Sequence, residues 1–256
     1  MQFKNIKVGV ENNVCKMTLN TPPGNVLSIE TLEEMNEALD LIHQRDDVRV
    51  LVFEGEGENF SYGADVKEHT REYVQQLIYN FHKIFYSLDE YNVVTVAKVK
   101  GWTLGGGFEL AMFCDMVLAQ EGTQFGLPEI KVGVFPPIAL IVLQEIAGTK
   151  TTNDLIFRGE NISVDEAKSF GIVNRIFSKD DFEKSCTDYI ASIADKSGIV
   201  LEYTKKIQRQ MSNRKDFQTQ LRATEDFYLN NLMFTFDANE GIKAFIEKRK
   251  PEWVNR

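Results

Sequence analysis

Basic residues are the minority charge in this chain: 29 Lys and Arg stand against 38 Asp and Glu, a formal net charge of −9. Non-specific affinity for nucleic acid comes mostly from neutralising phosphates, so this balance argues against a polyanion as the main partner. An acidic chain can still hold one local basic patch. Cysteine is scarce too. Cys15, Cys114 and Cys186 lie far apart with no CxxC pair, which argues against a disulfide framework and fits a reducing compartment. His43, His69 and His82 have no metal-ligand spacing, and HExxH, GxSxG and a Cys/His pairing are all missing. The expectation is a chain with no metal and no cofactor. No apolar run approaches the roughly 20 residues needed to cross a bilayer, and Met1 to Asn5 lacks the apolar core of a signal peptide. A cytoplasmic protein with no membrane partner is therefore expected. No low-complexity linker and no repeat at a solenoid period is present.

What is there reads as an α/β protein. Phe3 to Val10 and Val14 to Leu19 predict a hairpin around Glu11-Asn12-Asn13. After the Thr21-Pro22-Pro23-Gly24-Asn25 break, Ser28 predicts the N-cap of a helix. Its apolar face would be Ile29, Leu32, Met35, Leu39 and Ile42, spaced by threes and fours. Val50 to Phe53, Val93 to Val99 and Met116 to Ala119 predict buried strands. They alternate with helices from Glu68 to Leu88 and after Gly105-Gly106-Gly107. From Pro136 the pattern is mostly helical, broken by a strand-like run from Ile172 to Phe177. Helices are expected over Lys179–Ala194, Val200–Ser212, Phe217–Phe234 and Ala238–Lys248. We read a core over residues 1–195 and a helical region over 196–256 as one structural unit.

Three segments could carry chemistry. Gly101-Trp102-Thr103-Leu104-Gly105-Gly106-Gly107 joins a buried strand to a helix, and consecutive glycines cost backbone entropy. The free N–H groups of that helix's first turn could hold a phosphate or the oxygen of a polarised carbonyl. A tight turn without a ligand explains the glycines equally well, and neither GxGxxG nor GxxxxGK[ST] fits. Glu109 follows on the same helix. Alone it reads as a carboxylate favouring the helix dipole, but its neighbours Phe108, Leu110, Ala111, Met112 and Phe113 predict burial. Glu129 sits between Pro128 and Ile130 in a second apolar loop, where a solvated glutamate is the simpler reading in isolation. Two glutamates in apolar settings could face one pocket and divide acid and base roles. Finally, Phe60-Ser61-Tyr62-Gly63-Ala64-Asp65-Val66-Lys67 is another loop running into a helix. It could bring a second N–H to the first site. Lys248-Arg249-Lys250 reads as a solvated helix end that could meet a ligand phosphate.

Taken together these residues resemble the crotonase (enoyl-CoA hydratase/isomerase) superfamily over essentially the whole chain. The matching pieces are Thr21 to Leu27, Phe60 to Asp65, the glycines ending in Glu109, Cys114-Asp115, Pro128-Glu129-Ile130 and Gly241 to Arg249. The resemblance implies a crotonase-like spiral of ββα units with a C-terminal helical trimerisation region, and a homotrimer or dimer of trimers. It implies that the N–H groups of Ala64 and Gly106 form an oxyanion hole for a CoA thioester, with Glu109 and Glu129 as the catalytic pair. Tyr62, Asp65, Val66, Lys67, Gly105, Phe245 and Lys248 would line the substrate or CoA path. CoA then enters as part of the substrate. After Glu129 the chain departs from short-chain hydratases: Gly133-Val134-Phe135-Pro136-Pro137 replaces a Gly-rich segment, and Tyr62 replaces a small residue. Both features, with Glu68-His69 and Asp237 to Trp253, resemble a narrower group, the cyclohexa-1,5-diene-1-carbonyl-CoA hydratases of anaerobic benzoyl-CoA degradation. A hydratase or isomerase for another enoyl-CoA, or a non-catalytic binder of the same fold, remains an alternative.

Overall fold

The computed structural model describes residues 3–212 and 216–256, so Met1 and Gln2 of the N-terminal reading lie outside it. Strands β1 (Ile6–Glu11) and β2 (Val14–Leu19) pair antiparallel as expected. Asn12 and Asn13 between them both take positive φ (50° and 64°), as a tight turn matched to strand twist requires. Ser28 caps α1 (Ile29–Ile42), its hydroxyl accepting from the Thr31 N–H, and the five anticipated apolar residues are all buried.

Strands β3 (Val50–Gly55), β4 (Val94–Val99), β6 (Met116–Gln120) and β9 (Arg175–Phe177) continue the sheet. The order is β1-β2-β3-β4-β6-β9, parallel from β2 onward. Every residue of β4 is buried, because both faces of the sheet are covered there. On one side lie α1 and α2 (Val74–Glu90); on the other, Phe182, Cys186, Ile190 and Ala194 of α6 (Phe182–Ala194). Parallel strands end at one edge of the sheet. The loops after β3 and β4 therefore leave side by side, which is where ligands gather in open α/β sheets.

A second, three-stranded sheet was not anticipated. It consists of β5 (Trp102–Leu104), β7 (Gln124–Gly126) and β8 (Asn161–Ser163), too short to carry an alternating pattern. Other boundaries move as well. The helix expected from Glu68 is a 3-10 turn, Val66–His69, followed by α2 from Val74. The run from Ile172 is strand only over its last three residues; Ile172 and Val173 are buried in the irregular segment before it. The remaining helices are α3 (Gly106–Phe113), α4 (Pro137–Arg158, broken at Gly148), α5 (Val164–Ser169), α7 (Gly198–Met211), α8 (Phe217–Asn230) and α9 (Phe236–Ile246). A short turn over Leu232–Phe234 ends the helix expected to reach Phe234.

The helical region is tied to the core by charge as well as packing. Lys205 on α7 is buried, and its ammonium donates to Asp115 Oδ2 and the Val93 carbonyl, both at 2.7 Å. The same Asp115 oxygen accepts from the N–H and hydroxyl of Thr95 at 2.7 and 2.9 Å. Helix α9 packs on the 3-10 turn Val66–His69 and on a second one, Pro128–Val132. Among the described residues no helix is long and apolar enough to cross a membrane.

Candidate active site

The loop after β3 is stitched to the neighbouring chain before it reaches Ala64. Asn25, fully buried, donates to the carbonyls of Glu56 and Asn59, and its own carbonyl accepts from the Ser61 hydroxyl. Ser61 then runs beside β5, its N–H on the Trp102 carbonyl and its carbonyl on the Leu104 N–H. One step further, Ala64 forms a parallel bridge with Leu27 through the Gly63 carbonyl and the Asp65 N–H. That pattern turns the N–H of Ala64 itself the other way. It points away from Leu27 without an acceptor among the described residues, and so does the N–H of Gly106 at the first position of α3. The two chains touch: a side-chain carbon at Gly63 would lie 2.8 Å from the Gly106 nitrogen. The two N–H groups expected to converge are thus adjacent.

Gly105 is required twice over. Its φ of 49° with ψ of −131° suits only glycine, and an added side-chain carbon would sit 3.0 Å from Glu129 Oε1. The Gly105 N–H donates to the Gly126 carbonyl at the end of β7. Two residues beyond, Pro128 opens the turn that carries Glu129. The unanticipated small sheet is therefore what brings Glu129 to the glycine loop.

All eight residues of α3 are buried, Glu109 among them at 2% exposure. Its Oε1 accepts from the N–H groups of Ile138 and Ala139 at 2.8 and 3.0 Å, in the first turn of α4. Those bonds favour the carboxylate, but burial outweighs them and raises the Glu109 pKa to about 7. Glu129 is partly buried, yet its Oε2 is enclosed and has no hydrogen-bond partner among the described residues. Burial first, then the charge of Glu109, pushes its pKa well above the ordinary carboxyl value.

Both carboxyls face one cavity of about 490 Å³ with Ala64 and Gly106. Tyr62, Val66, Gly105 and Phe245 also line it, whereas Asp65, Lys67 and Lys248 do not. Asp65 instead caps the turn that follows it, accepting from the Lys67 N–H. Lys248 leaves the helix end with φ of 54°, and it is Arg249 that reaches the cavity, its guanidinium bound to Glu240 at 2.7 Å. Phe135 and His69, singled out above only through the resemblance, also line it, while Tyr228 and the α2 residues Leu77, Ile78 and Phe81 escaped the sequence reading. Tyr228 lies on the apolar stripe of α8, and nothing in a helical period separates a core residue from one that borders a cavity. A larger groove, about 950 Å³, runs between the first hairpin and α6 and contains none of the candidate residues. Among the described residues no three His, Cys, Asp or Glu side chains gather as a metal site would need.

Such a site links stability to pH. Carboxyl pKa values raised on folding contribute stability that is fully present below about 4.5 and lost as pH rises through about 7. We expect Glu129→Gln to unfold at a higher temperature than the wild type near pH 8. The gain should shrink as pH falls and vanish near pH 4, as thermal melts across that range would show.

The sequence matches the enoyl-CoA hydratase/isomerase family over residues 9–256. It is 30% identical to the cyclohexa-1,5-dienecarbonyl-CoA hydratase of Thauera aromatica over 253 residues, 98% of this chain and 97% of that protein. A probable enoyl-CoA hydratase of Bacillus subtilis (strain 168) is 34% identical, with 97% of this chain and 98% of that one covered. The fold superimposes on an enoyl-CoA hydratase structure from Mycobacterium avium subsp. paratuberculosis with a TM-score of 0.90 at 23% identity, covering 99% and 100% of the two chains. With the match spanning nearly its whole length, the chain belongs to the enoyl-CoA hydratase/isomerase family and is an enzyme of the hydratase (hydro-lyase) type.

Proposed function

We propose that this enzyme adds water to a conjugated cyclic enoyl-CoA thioester. The substrate would be cyclohexa-1,5-diene-1-carbonyl-CoA and the product 6-hydroxycyclohex-1-ene-1-carbonyl-CoA, as in anaerobic benzoyl-CoA degradation. One observation carries the reading: two N–H groups without acceptors border the same apolar cavity as two enclosed glutamates. The N–H groups of Ala64 and Gly106 would receive the thioester oxygen, where negative charge develops as water adds. Val134, Phe135 and Pro137, with Phe81 and Tyr228, give the cavity an apolar wall that suits a carbocyclic acyl group.

The unequal surroundings of the glutamates suggest their roles. Glu109, held by two backbone N–H groups, is the better carboxylate and takes a proton from water as its oxygen bonds the β carbon. The displaced electron pair passes to the thioester oxygen, giving an extended dienolate. Glu129, whose Oε2 has no donor to stabilise a charge, holds a proton and delivers it to the far end of that conjugated system. One water is added, and no cofactor is needed beyond the CoA of the substrate.

The exposed apolar face of α7, with Ile199, Val200, Tyr203, Ile207 and Met211, suits burial in a homotrimer or a dimer of trimers. A cytoplasmic location accords with a CoA thioester substrate. The test is mass-resolved turnover with the dienoyl thioester offered beside crotonyl-CoA and cyclohex-1-ene-1-carbonyl-CoA. We expect a gain of one water on the dienoyl thioester, preferred at least tenfold. Preference for either competitor would keep the hydratase and reject the ring diene, and no gain on any would reject both.

A further inference from the structure

Tyr228 is 1% exposed, in the last turn of α8, on the stripe that also buries Phe217 and Leu221. Its ring meets Phe135 edge-on at 5.1 Å and 81°, and it lines the cavity of the two glutamates. Its hydroxyl makes no hydrogen bond to another side chain or to the backbone among the described residues. Phenylalanine would fill the same space, so the oxygen is unexplained by packing; it is not among the fully enclosed unpaired atoms and so opens onto the cavity. Nor is it needed to hold the helix. One turn earlier, Glu225 binds the Nδ1 of buried His82 on α2 at 2.9 Å and pins α8 to the core.

A water placed between two carboxyl groups directs its hydrogens to them and is left with lone pairs to satisfy. The cavity is poor in donors on that side. Pro136 and Pro137 carry no N–H, and those of Ile138 and Ala139 are committed to Glu109. We propose that Tyr228 is a further catalytic residue, its phenol donating a hydrogen bond to the water oxygen that adds to the thioester's β carbon. Burial and the charges of Glu129 and Glu109 raise the phenol's pKa, so it stays protonated and remains a donor throughout. No proton leaves the tyrosine; it holds the oxygen while Glu109 removes the water proton. The role rests on the hydratase reading above.

The full-length Tyr228→Phe variant tests it on whichever thioester the wild type hydrates. We expect kcat to fall about 10- to 100-fold with KM changed less than about twofold, the size of one lost hydrogen bond in the transition state. The melting temperature without ligand should be close to that of the wild type, since no hydrogen bond within the protein is lost. Wild-type kcat in the variant would overturn the proposal while leaving the hydratase reading intact. A melting temperature lower by about 5 °C or more would overturn it too, because the phenol would then be structural. A wild-type chain that hydrates no thioester would reject the hydratase reading itself, and this role with it.

Discussion

Replacing Glu129 or Glu109 by Gln should each lower kcat by about a thousandfold, within the range usual for removing a general acid or base. Gln keeps the size of the side chain and the apolar enclosure but can neither hold nor accept the transferred proton. At position 109 an amide oxygen can still accept from Ile138 and Ala139, so the start of α4 stays anchored while the basic group is lost. The expected rise in melting temperature above pH 7 separates this loss from unfolding: the variants would be firmer and far slower. The two losses should not multiply in the double variant, because one proton transfer is useless without the other. Near-wild-type turnover in Glu129→Gln would reject the pair as the acid and base. Steady-state rates with matched melts are the measurement.

Lys205→Met should cost the fold about 1.5 to 3 kcal/mol, the usual worth of hydrogen bonds to a charged group. Met reproduces much of the side chain's length, so packing on α7 is largely kept. What goes is the ammonium that bridges Asp115 and the Val93 carbonyl. Asp115 keeps its two bonds from Thr95, which neutralise only part of its charge. Pairing the change with Asp115→Asn should restore part of the loss, because the orphaned charge is then gone. Urea denaturation midpoints of the single and double variants decide the matter. Full stability in Lys205→Met would mean that the bridge holds nothing.

Much of this architecture was legible because local physics agrees with it. Ser28 before an apolar face, Asn12-Asn13 between two strands, and the uninterrupted Val94–Val99 run each have one economical reading. The helix around Glu109 was legible as buried because apolar residues surround the carboxylate in sequence. The three-residue strands were not legible, nor was the break between His69 and Val74, since neither extends over a full period of any pattern. The cavity itself was least accessible. Glu109 and Glu129 could be suspected of sharing a pocket, but Tyr228 comes from a segment a hundred residues away. Its membership depends on how α8 crosses α2 and α4, and that crossing is a property of packing. The shift from Lys248 to Arg249 has a smaller cause: helix α9 ends at Ile246, and the positive φ of Lys248 turns the next side chain inward.

The cavity has two makers. The paired N–H groups come from the loop after β3 and from the start of α3 just after β5, and so belong to the two sheets. Phe135, Tyr228 and Phe245 belong to the residues before α4 and to α8 and α9, which lie over that edge like a roof. The two parts share few backbone hydrogen bonds, so a substitution in one need not disturb the other. Mutation can recut the roof to fit a new acyl shape while the polarising device below it goes on working. Such a division lets one scaffold change its diet without relearning its trade.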